Sequence, residues 1–109
     1  MSWSPRNSLL LAFLLGSLPS VVSADISAPR QAELGVLLKQ DCGSCHGLTR
    51  RGGLGSPLLP GAIAHFTDDA LIEIILDGVP GTPMPPWRPF LTPGEAAWMV
   101  NNLRKGVVK

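Results

Sequence analysis

Two cysteines and a histidine stand together near the middle of the chain, in the run Cys42-Gly43-Ser44-Cys45-His46. Two thiols three positions apart can each add to one vinyl group of a porphyrin. The imidazole that follows then lies under the ring, where one of its nitrogens can bind iron. Gly43 and Ser44 are small, so the backbone between the thiols can approach the edge of the macrocycle. The spacing predicts one c-type haem, bound covalently at Cys42 and Cys45, with His46 as an axial ligand.

Other uses of closely spaced cysteines fit this sequence less well. A structural zinc site needs four ligands, but the chain has two cysteines in all, and His46 and His65 are its only histidines. A thioredoxin-like dithiol opens a helix that follows a strand, and no strand pattern precedes Cys42. An oxidising compartment would favour a disulfide, but the histidine directly after Cys45 is better explained by thioether bonds.

The first 24 residues are predicted to be a secretory signal that is removed from the mature protein. Arg6 supplies a positive charge, an apolar stretch follows at residues 9–15, and Val22-Ser23-Ala24 provides the small residues of a cleavage site. The apolar stretch is too short to span a bilayer comfortably, so an uncleaved membrane anchor is the less favoured hypothesis. We therefore expect a periplasmic protein with a single mature domain, residues 25–109.

The charge of the mature part is balanced, which argues against some classes of partner. The whole chain has 9 Lys+Arg and 8 Asp+Glu, and the predicted signal carries only Arg6, so 8 of each sign remain. The sequence has no basic excess and no interleaving of basic and aromatic residues, so nothing in it indicates a protein that binds nucleic acid. Removal of 24 of the 109 residues leaves 85, a length that builds only a small core and benefits from a large buried cofactor.

The attachment motif is predicted to follow one helix and to precede an irregular loop. Ser27-Ala28-Pro29 is a typical helix start. Residues 32–40 are helical in composition, and their apolar residues recur at the three- and four-residue spacing of one buried face: Leu34, Leu37 and Leu38. This helix would deliver Cys42 at its C-terminal end. The Gly and Pro residues between positions 47 and 61 leave no room for regular structure, and such a loop can wrap a flat cofactor closely.

Two further helices are indicated by capping residues at their ends. The first begins after Thr67, which can accept a hydrogen bond from the first turn, and it ends at Gly78. The second runs from Pro93 to Lys105 behind a capping box that begins at Thr92. Its predicted buried face contains Ala96, Met99, Val100 and Leu103. No strand and no internal repeat is predicted.

A proline-rich run from Val79 to Pro89 separates these two helices and contains one soft donor, the thioether of Met84. Proline rings remove hydrogen-bond donors and restrict the residues before them, so the run is predicted to be a stiff extended loop. Methionine is usually core filler, but here its neighbours form a loop, and an iron bound by His46 lacks a sixth ligand. We predict that Met84 is this ligand. Trp87 is predicted to pack on the haem or donate to a propionate, with core packing as the alternative.

His65 is the other candidate for a second axial ligand. It lies just before the helix that begins after Thr67. A histidine at a helix start is more often a surface residue or a hydrogen-bonding residue than a metal ligand. Met84 is therefore preferred.

The order of these features resembles that of the class I c-type cytochromes over nearly all of residues 25–109. The resemblance implies an all-α fold of about three to four helices, with Gly/Pro-rich loops wrapped around one covalent haem. It also implies that the first and last helices cross in close contact at Gly35. From the residues alone, Gly35 is as consistent with a tolerated surface glycine.

The resemblance also implies that the carbonyl of a proline after the motif accepts a hydrogen bond from the axial imidazole, a role that falls on Pro57. Two aromatic positions of the family are occupied differently here, by Leu38 and by Asn102. Trp98, one turn before Asn102, is the residue that could fill the space. The departure concerns the crossing of the helices and not the haem site.

Within this class, residues 42–60 and 81–87 look most like the small exported cytochrome encoded with the cytochrome cd-type nitrite reductase of denitrifying bacteria. The resemblance implies a single-electron carrier, monomeric and free of the membrane after signal cleavage, whose redox partner is that nitrite reductase. No turnover of its own is expected. Two alternatives stay open, namely a factor for maturation of the d-type haem and a haem enzyme that binds a small ligand after Met84 leaves the iron.

Overall fold

The computed structural model of the protein describes residues 16–17 and 25–106. Within these ranges the chain forms helices and loops and no strand, which confirms the predicted all-α class. The predicted secretory signal lies outside the described residues apart from Gly16 and Ser17. No helix in the described part is long and apolar enough to cross a membrane.

The first helix, α1, spans Ala28–Leu37 and begins where the sequence predicts. The hydroxyl of Ser27 accepts a hydrogen bond from the backbone N–H of Arg30 at 3.3 Å, and proline occupies the first turn. The chain then stays helical, first through a π-helical turn at Leu38–Cys42 and then through the short helix α2 at Gly43–His46. The attachment motif is therefore part of the same helical run and does not simply follow its end. Short π-helical turns are rare and frequently lie at functional sites.

The segment after the motif is irregular from Gly47 to Leu59, as predicted. Pro60 and Gly61, the last two residues of the predicted loop, instead begin a helix. This short helix, α3, spans Pro60–Ile63, with proline in its first turn. The expectation that residues 47–61 hold no regular structure is wrong at this end. Proline is favoured at the first position of a helix because its missing N–H would have no helical partner there.

The two remaining helices, α4 and α5, begin and end at the predicted residues. Helix α4 spans Asp68–Asp77, with Thr67 accepting a hydrogen bond from the N–H of Ala70 at 3.1 Å and Gly78 at its C-terminal cap. Helix α5 spans Pro93–Lys105 behind the complete capping box of Thr92 and Glu95, and the left-handed Gly106 ends it.

One hydrophobic core holds these helices together, and α4 and α5 make the most extensive contact in it. The buried hydrophobic residues of the described part are Leu34, Leu38, Ile63, Leu71, Leu76, Leu91, Ala96, Met99, Val100 and Leu103. All four residues predicted for the buried face of α5 are in this set. Trp87 and Trp98 are half-buried and pack against the core.

Gly35 does not have the role that the resemblance implies. A Cβ atom at this position would have no neighbouring heavy atom within 4 Å. Helices α1 and α5 do touch, but no atom lies close enough to Gly35 to require a glycine there. The alternative hypothesis, a glycine that is merely tolerated, describes Gly35 better.

Candidate haem site

The two cysteines lie half-buried on successive turns at the end of the helical run, and neither forms a disulfide. The side chain of Cys42 packs against the core. Burial, together with the negative charge of Asp41, raises the pKa of the Cys42 thiol to about 11. Between the cysteines, Ser44 donates a hydrogen bond from its hydroxyl to the carbonyl of Asp41 at 2.7 Å. The motif thus presents two reduced thiols on a helical backbone.

The imidazole of His46 is oriented by one short hydrogen bond. Its Nδ1 lies 2.7 Å from the carbonyl oxygen of Ser56. Because a carbonyl only accepts, Nδ1 must carry the proton, and the lone pair of the neutral ring is then on Nε2. Among the described residues Nε2 has no hydrogen-bond partner. The structure therefore assigns the two nitrogens different roles, and Nε2 is the one that can bind a metal.

The acceptor of this hydrogen bond differs from the expected one. The resemblance places the carbonyl of Pro57 opposite the ring, and the structure places that of Ser56 there, one residue earlier. Pro57 still contributes the nitrogen of the same peptide bond. A residue before proline is restricted to extended conformations, so Pro57 limits the directions in which the Ser56 carbonyl can point.

Gly55, one of several glycines in the loop after the motif, lies against the imidazole. A Cβ atom at Gly55 would stand 2.7 Å from both Cε1 and Nδ1 of His46, closer than a real Cβ contact. The backbone of the loop also bonds to the motif, from the N–H of Gly55 to the carbonyl of Cys45 at 2.7 Å and from the N–H of Gly52 to the carbonyl of His46 at 2.9 Å. In the sequence, this close approach is indicated only by the density of glycines in the loop.

Contrary to the prediction, the proline-rich segment is not extended throughout: the N–H of Val79 donates to the Met84 carbonyl at 3.2 Å and closes a turn, and only then does the segment return along the end of α4. The N–H of Trp87 donates to the carbonyl of Ile75 at 3.1 Å, and the N–H of Arg88 donates to that of Leu76 at 2.9 Å. The guanidinium of Arg88 forms a two-point ion pair with Asp77, at 2.8 and 2.9 Å. These bonds hold the loop that carries Met84, whose side chain is half-buried.

The remaining predicted residues occupy different surroundings. The indole of Trp87 packs on the core and meets the ring of Phe90 edge-on, with 6.0 Å between centroids. His65 is exposed two residues beyond the end of α3, and the centroid of its ring lies 4.2 Å from that of Phe66. In the described part, no three His, Cys, Asp or Glu side chains come together as a metal-ion site.

The chemistry of these residues fits a c-type haem. The site offers two reduced thiols at the required spacing, an imidazole whose Nε2 is unpaired, and a glycine where a side chain would displace the ring. Several large apolar side chains of the surrounding loops are exposed, as expected for residues that a flat apolar cofactor can cover: Leu48, Leu54, Leu59 and Val79.

Comparison with known proteins places the chain in a family. Residues 29–102 match the family model described as cytochrome c oxidase, cbb3-type, subunit III. The chain is 48% identical over 100 residues to cytochrome c55X of Paracoccus denitrificans (strain Pd 1222), a match that covers 92% of this chain and 94% of that protein. The solved structure of a c-type cytochrome named NirC shares 47% identity with a TM-score of 0.74, and the match covers 76% of this chain and 98% of that one.

A larger protein also contains a similar domain. The solved structure of the dihydro-heme d1 dehydrogenase NirN in complex with DHE is 35% identical, with a TM-score of 0.59. This match covers 63% of the present chain but only 15% of the dehydrogenase. Since the family model spans most of the chain and the cytochrome c55X relative is matched over nearly its whole length, the chain belongs to the c-type cytochrome family.

Proposed function

We propose that this protein is an exported single-electron carrier with one covalently attached haem c. In this proposal the thiols of Cys42 and Cys45 add across the two vinyl groups, each forming a carbon–sulfur bond as the thiol hydrogen passes to the neighbouring carbon. His46 and Met84 are the axial ligands. The bound haem supplies a one-electron iron couple, and a His/Met pair leaves no open position for a substrate.

The observation that carries this proposal is the 2.7 Å contact of His46 Nδ1 with the Ser56 carbonyl. It selects the tautomer in which Nε2 is free, and it also orients the ring. A ligating histidine usually donates its other N–H to a carbonyl or carboxylate, which fixes the ring and raises its basicity.

The loops on either side are suited to electron transfer because they hold both ligands with backbone hydrogen bonds. The motif is bonded to the loop at Gly52 and Gly55, and the methionine loop is bonded to α4 through Trp87 and Arg88. Ligands that stay in place when the iron changes oxidation state keep the reorganisation small. Trp87, half-buried beside this loop, is proposed to pack on the haem.

We propose the periplasm as the location and nitrite reductase as the electron acceptor. The predicted signal at residues 1–24, cleaved after Ala24, and the resemblance of residues 42–60 and 81–87 support this assignment. So does the set of similar proteins, which includes a c-type cytochrome named NirC and an enzyme named for dihydro-heme d1. In this proposal the mature protein is monomeric and free of the membrane.

A second candidate function is a role in maturing a d-type haem. It is favoured by one observation, the similarity to a domain of dihydro-heme d1 dehydrogenase, which is 36% identical over 75 residues in the protein of Pseudomonas aeruginosa. A small cytochrome could then exchange electrons with an enzyme that oxidises a haem precursor.

Two experiments test these proposals. Acid–acetone should fail to extract the haem from the mature protein, and a Cys42→Ala, Cys45→Ala double variant should lose it. Extraction of intact haem from the unmutated protein would contradict the thioether bonds.

Electron exchange should then be measured with purified nitrite reductase, with and without its d-type haem. Rapid exchange only with the complete reductase supports the carrier function, and exchange only with the form lacking d-type haem supports the maturation function.

A further inference from the structure

Gly78, the residue that ends α4, lies directly against the backbone of Met84. A Cβ atom at Gly78 would stand 2.6 Å from the Met84 carbonyl oxygen, 2.8 Å from the carbonyl carbon of Pro85 and 2.9 Å from the nitrogen of Pro86. Gly78 has φ 67° and ψ −170°, a region that is essentially restricted to glycine. The position therefore excludes a side chain for two independent reasons, one of contact and one of conformation.

Hydrogen bonds close the segment between Gly78 and Met84 into a compact turn, which we call the Met84 turn (residues 78–84). The N–H of Val79 donates to the Met84 carbonyl at 3.2 Å. The hydroxyl of Thr82 donates to the Val79 carbonyl at 2.7 Å and accepts a hydrogen bond from the N–H of Met84 at 3.3 Å. Both polar groups of the Met84 backbone are thus satisfied within the turn, and Thr82 joins its two halves.

From these contacts we propose that Gly78 and Thr82 are positioning residues for Met84, one by allowing its backbone to approach the end of α4 and the other by holding its N–H. The inference rests on the proposed function of Met84 as an iron ligand. Neither residue touches the metal in this proposal. Each acts by limiting how far the Met84 backbone, and with it the thioether, can move.

The contact at Gly78 is tested against a glycine in the same turn. Gly81 also has a positive φ, 76°, but a Cβ there would meet nothing within 4 Å. Gly78→Ala should displace the Met84 backbone, whereas Gly81→Ala should impose an unfavourable φ without that contact. We expect Gly78→Ala to lose most of the methionine–iron charge-transfer absorption of the oxidised protein, to lower the reduction potential and to bind carbon monoxide when reduced. Gly81→Ala should retain the absorption.

The hydroxyl of Thr82 is tested by a pair of variants that differ in that group. Thr82→Val keeps the shape and removes both hydrogen bonds, while Thr82→Ser restores the hydroxyl. We expect the fraction of protein with Met84 detached to rise about tenfold in Thr82→Val, as judged by carbon monoxide binding, since a lost hydrogen bond of ordinary strength changes an equilibrium by this order. Thr82→Ser should behave like the unmutated protein.

Met84→Ala separates failure of this inference from failure of the proposed function. If Met84→Ala has the same spectrum and potential as the unmutated protein, Met84 is not a ligand. Its proposed ligation of the iron and the positioning role of Gly78 and Thr82 are then both contradicted. If Met84→Ala abolishes the charge-transfer absorption but Gly78→Ala matches Gly81→Ala and Thr82→Val matches Thr82→Ser, the positioning role alone is overturned. Should Gly78→Ala fail to accumulate as a haem protein, the Thr82 pair decides.

Discussion

At the scale of single residues, the important property of the site is the position of one proton. The carbonyl of Ser56 can only accept, so it holds the proton of His46 on Nδ1 and leaves the lone pair on Nε2. A metal ligand whose second nitrogen is bound in this way keeps its orientation and its basicity. The two proposed axial ligands differ in this respect, because the hydrogen bonds that hold Met84 are made by its backbone.

This difference predicts unequal effects of removing the two proposed ligands. His46→Ala should impair maturation of the haem protein, because the imidazole lies within the attachment motif. Met84→Ala should still give a haem protein, with a lowered reduction potential and an iron newly accessible to small ligands, because thioether ligation raises the potential. Haem content, the spectrum and the potential of the two variants provide the measurement. An unchanged potential in Met84→Ala would make His65 the leading candidate for the sixth ligand.

The contact between Gly55 and the imidazole leads to a second prediction. In Gly55→Ala the new methyl group would stand 2.7 Å from two atoms of the His46 ring, so the ring or the loop must shift. We expect a lower yield of the mature haem protein and an altered spectrum. Gly61→Ala is the matched control, because a Cβ at Gly61 meets nothing within 4 Å. Equal haem content and equal spectra in the two variants would show that the loop yields without disturbing the ligand.

At the scale of helices, a network of ion pairs connects the beginnings of α1 and α5. The guanidinium of Arg30 donates two hydrogen bonds to the carboxylate of Glu95, at 2.8 and 3.1 Å, and further bonds to Glu33 and to the carbonyl of Phe90. Glu95 also accepts from the N–H of Thr92 in the capping box. One carboxylate therefore both caps α5 and connects it to α1.

These contacts predict a specific pH dependence of stability. Hydrogen bonds from Arg30, and then the one from Thr92, lower the pKa of Glu95 below its ordinary value of 4.5. Because this pKa is lower in the folded protein than in the unfolded chain, the stabilisation is fully present above about pH 4.5 and is lost as the pH falls through the lower, folded-state pKa. In Glu95→Gln, the free energy of unfolding should decline less steeply with falling pH.

Chemical denaturation of the unmutated protein and Glu95→Gln at several pH values between about 3 and 7 is the measurement. Some dependence should persist in the variant, because the Arg88 guanidinium similarly lowers the pKa of Asp77. An Asp77→Asn variant is the control for that second contribution. Parallel curves for Glu95→Gln and the unmutated protein would show that the network contributes nothing through ionisation of Glu95.

At the scale of the whole molecule, the surface offers little concentrated charge for steering a partner. Residues 25–109 are formally neutral by sequence, and three of the described cations, Arg30, Arg88 and Arg104, each form an ion pair with an acidic side chain. Large apolar side chains are exposed on the loops that follow the motif, with Leu48 65% and Leu54 78% accessible. A partner that docks on these exposed side chains would make a small apolar contact, which is typical of short-lived electron-transfer complexes.

We therefore predict that electron exchange with the partner depends only weakly on ionic strength. Strong steering requires a concentrated field of one sign, and balanced charge provides little. Neutralising Arg50 and Arg51 together, as Arg50→Gln and Arg51→Gln, should slow the exchange by less than about tenfold. Stopped-flow rates from low to high salt are the measurement. A steep fall with salt would show that a charged patch formed by the fold governs docking.

Much of this molecule follows from short stretches of sequence. The spacing of Cys42, Cys45 and His46 is sufficient to predict the proposed attachment chemistry, because two thiols and an imidazole must then reach atoms of one macrocycle. The starts and ends of α4 and α5 were predicted at the observed residues, because Thr67, Gly78 and the capping box at Thr92 act on backbone groups within a turn. These interactions are local, so the order of residues suffices to determine them.

Other features depend on the path of the loops, and only the tertiary structure decides them. The carbonyl facing His46 belongs to Ser56 and not Pro57, since a shift of one residue in an irregular loop exchanges one acceptor for another. Gly55 and Gly78 matter because the backbone of one loop brings them against His46 and Met84, whereas Gly35 faces open space. A glycine in a sequence permits a close approach, but what approaches it is set by contacts between residues distant along the chain.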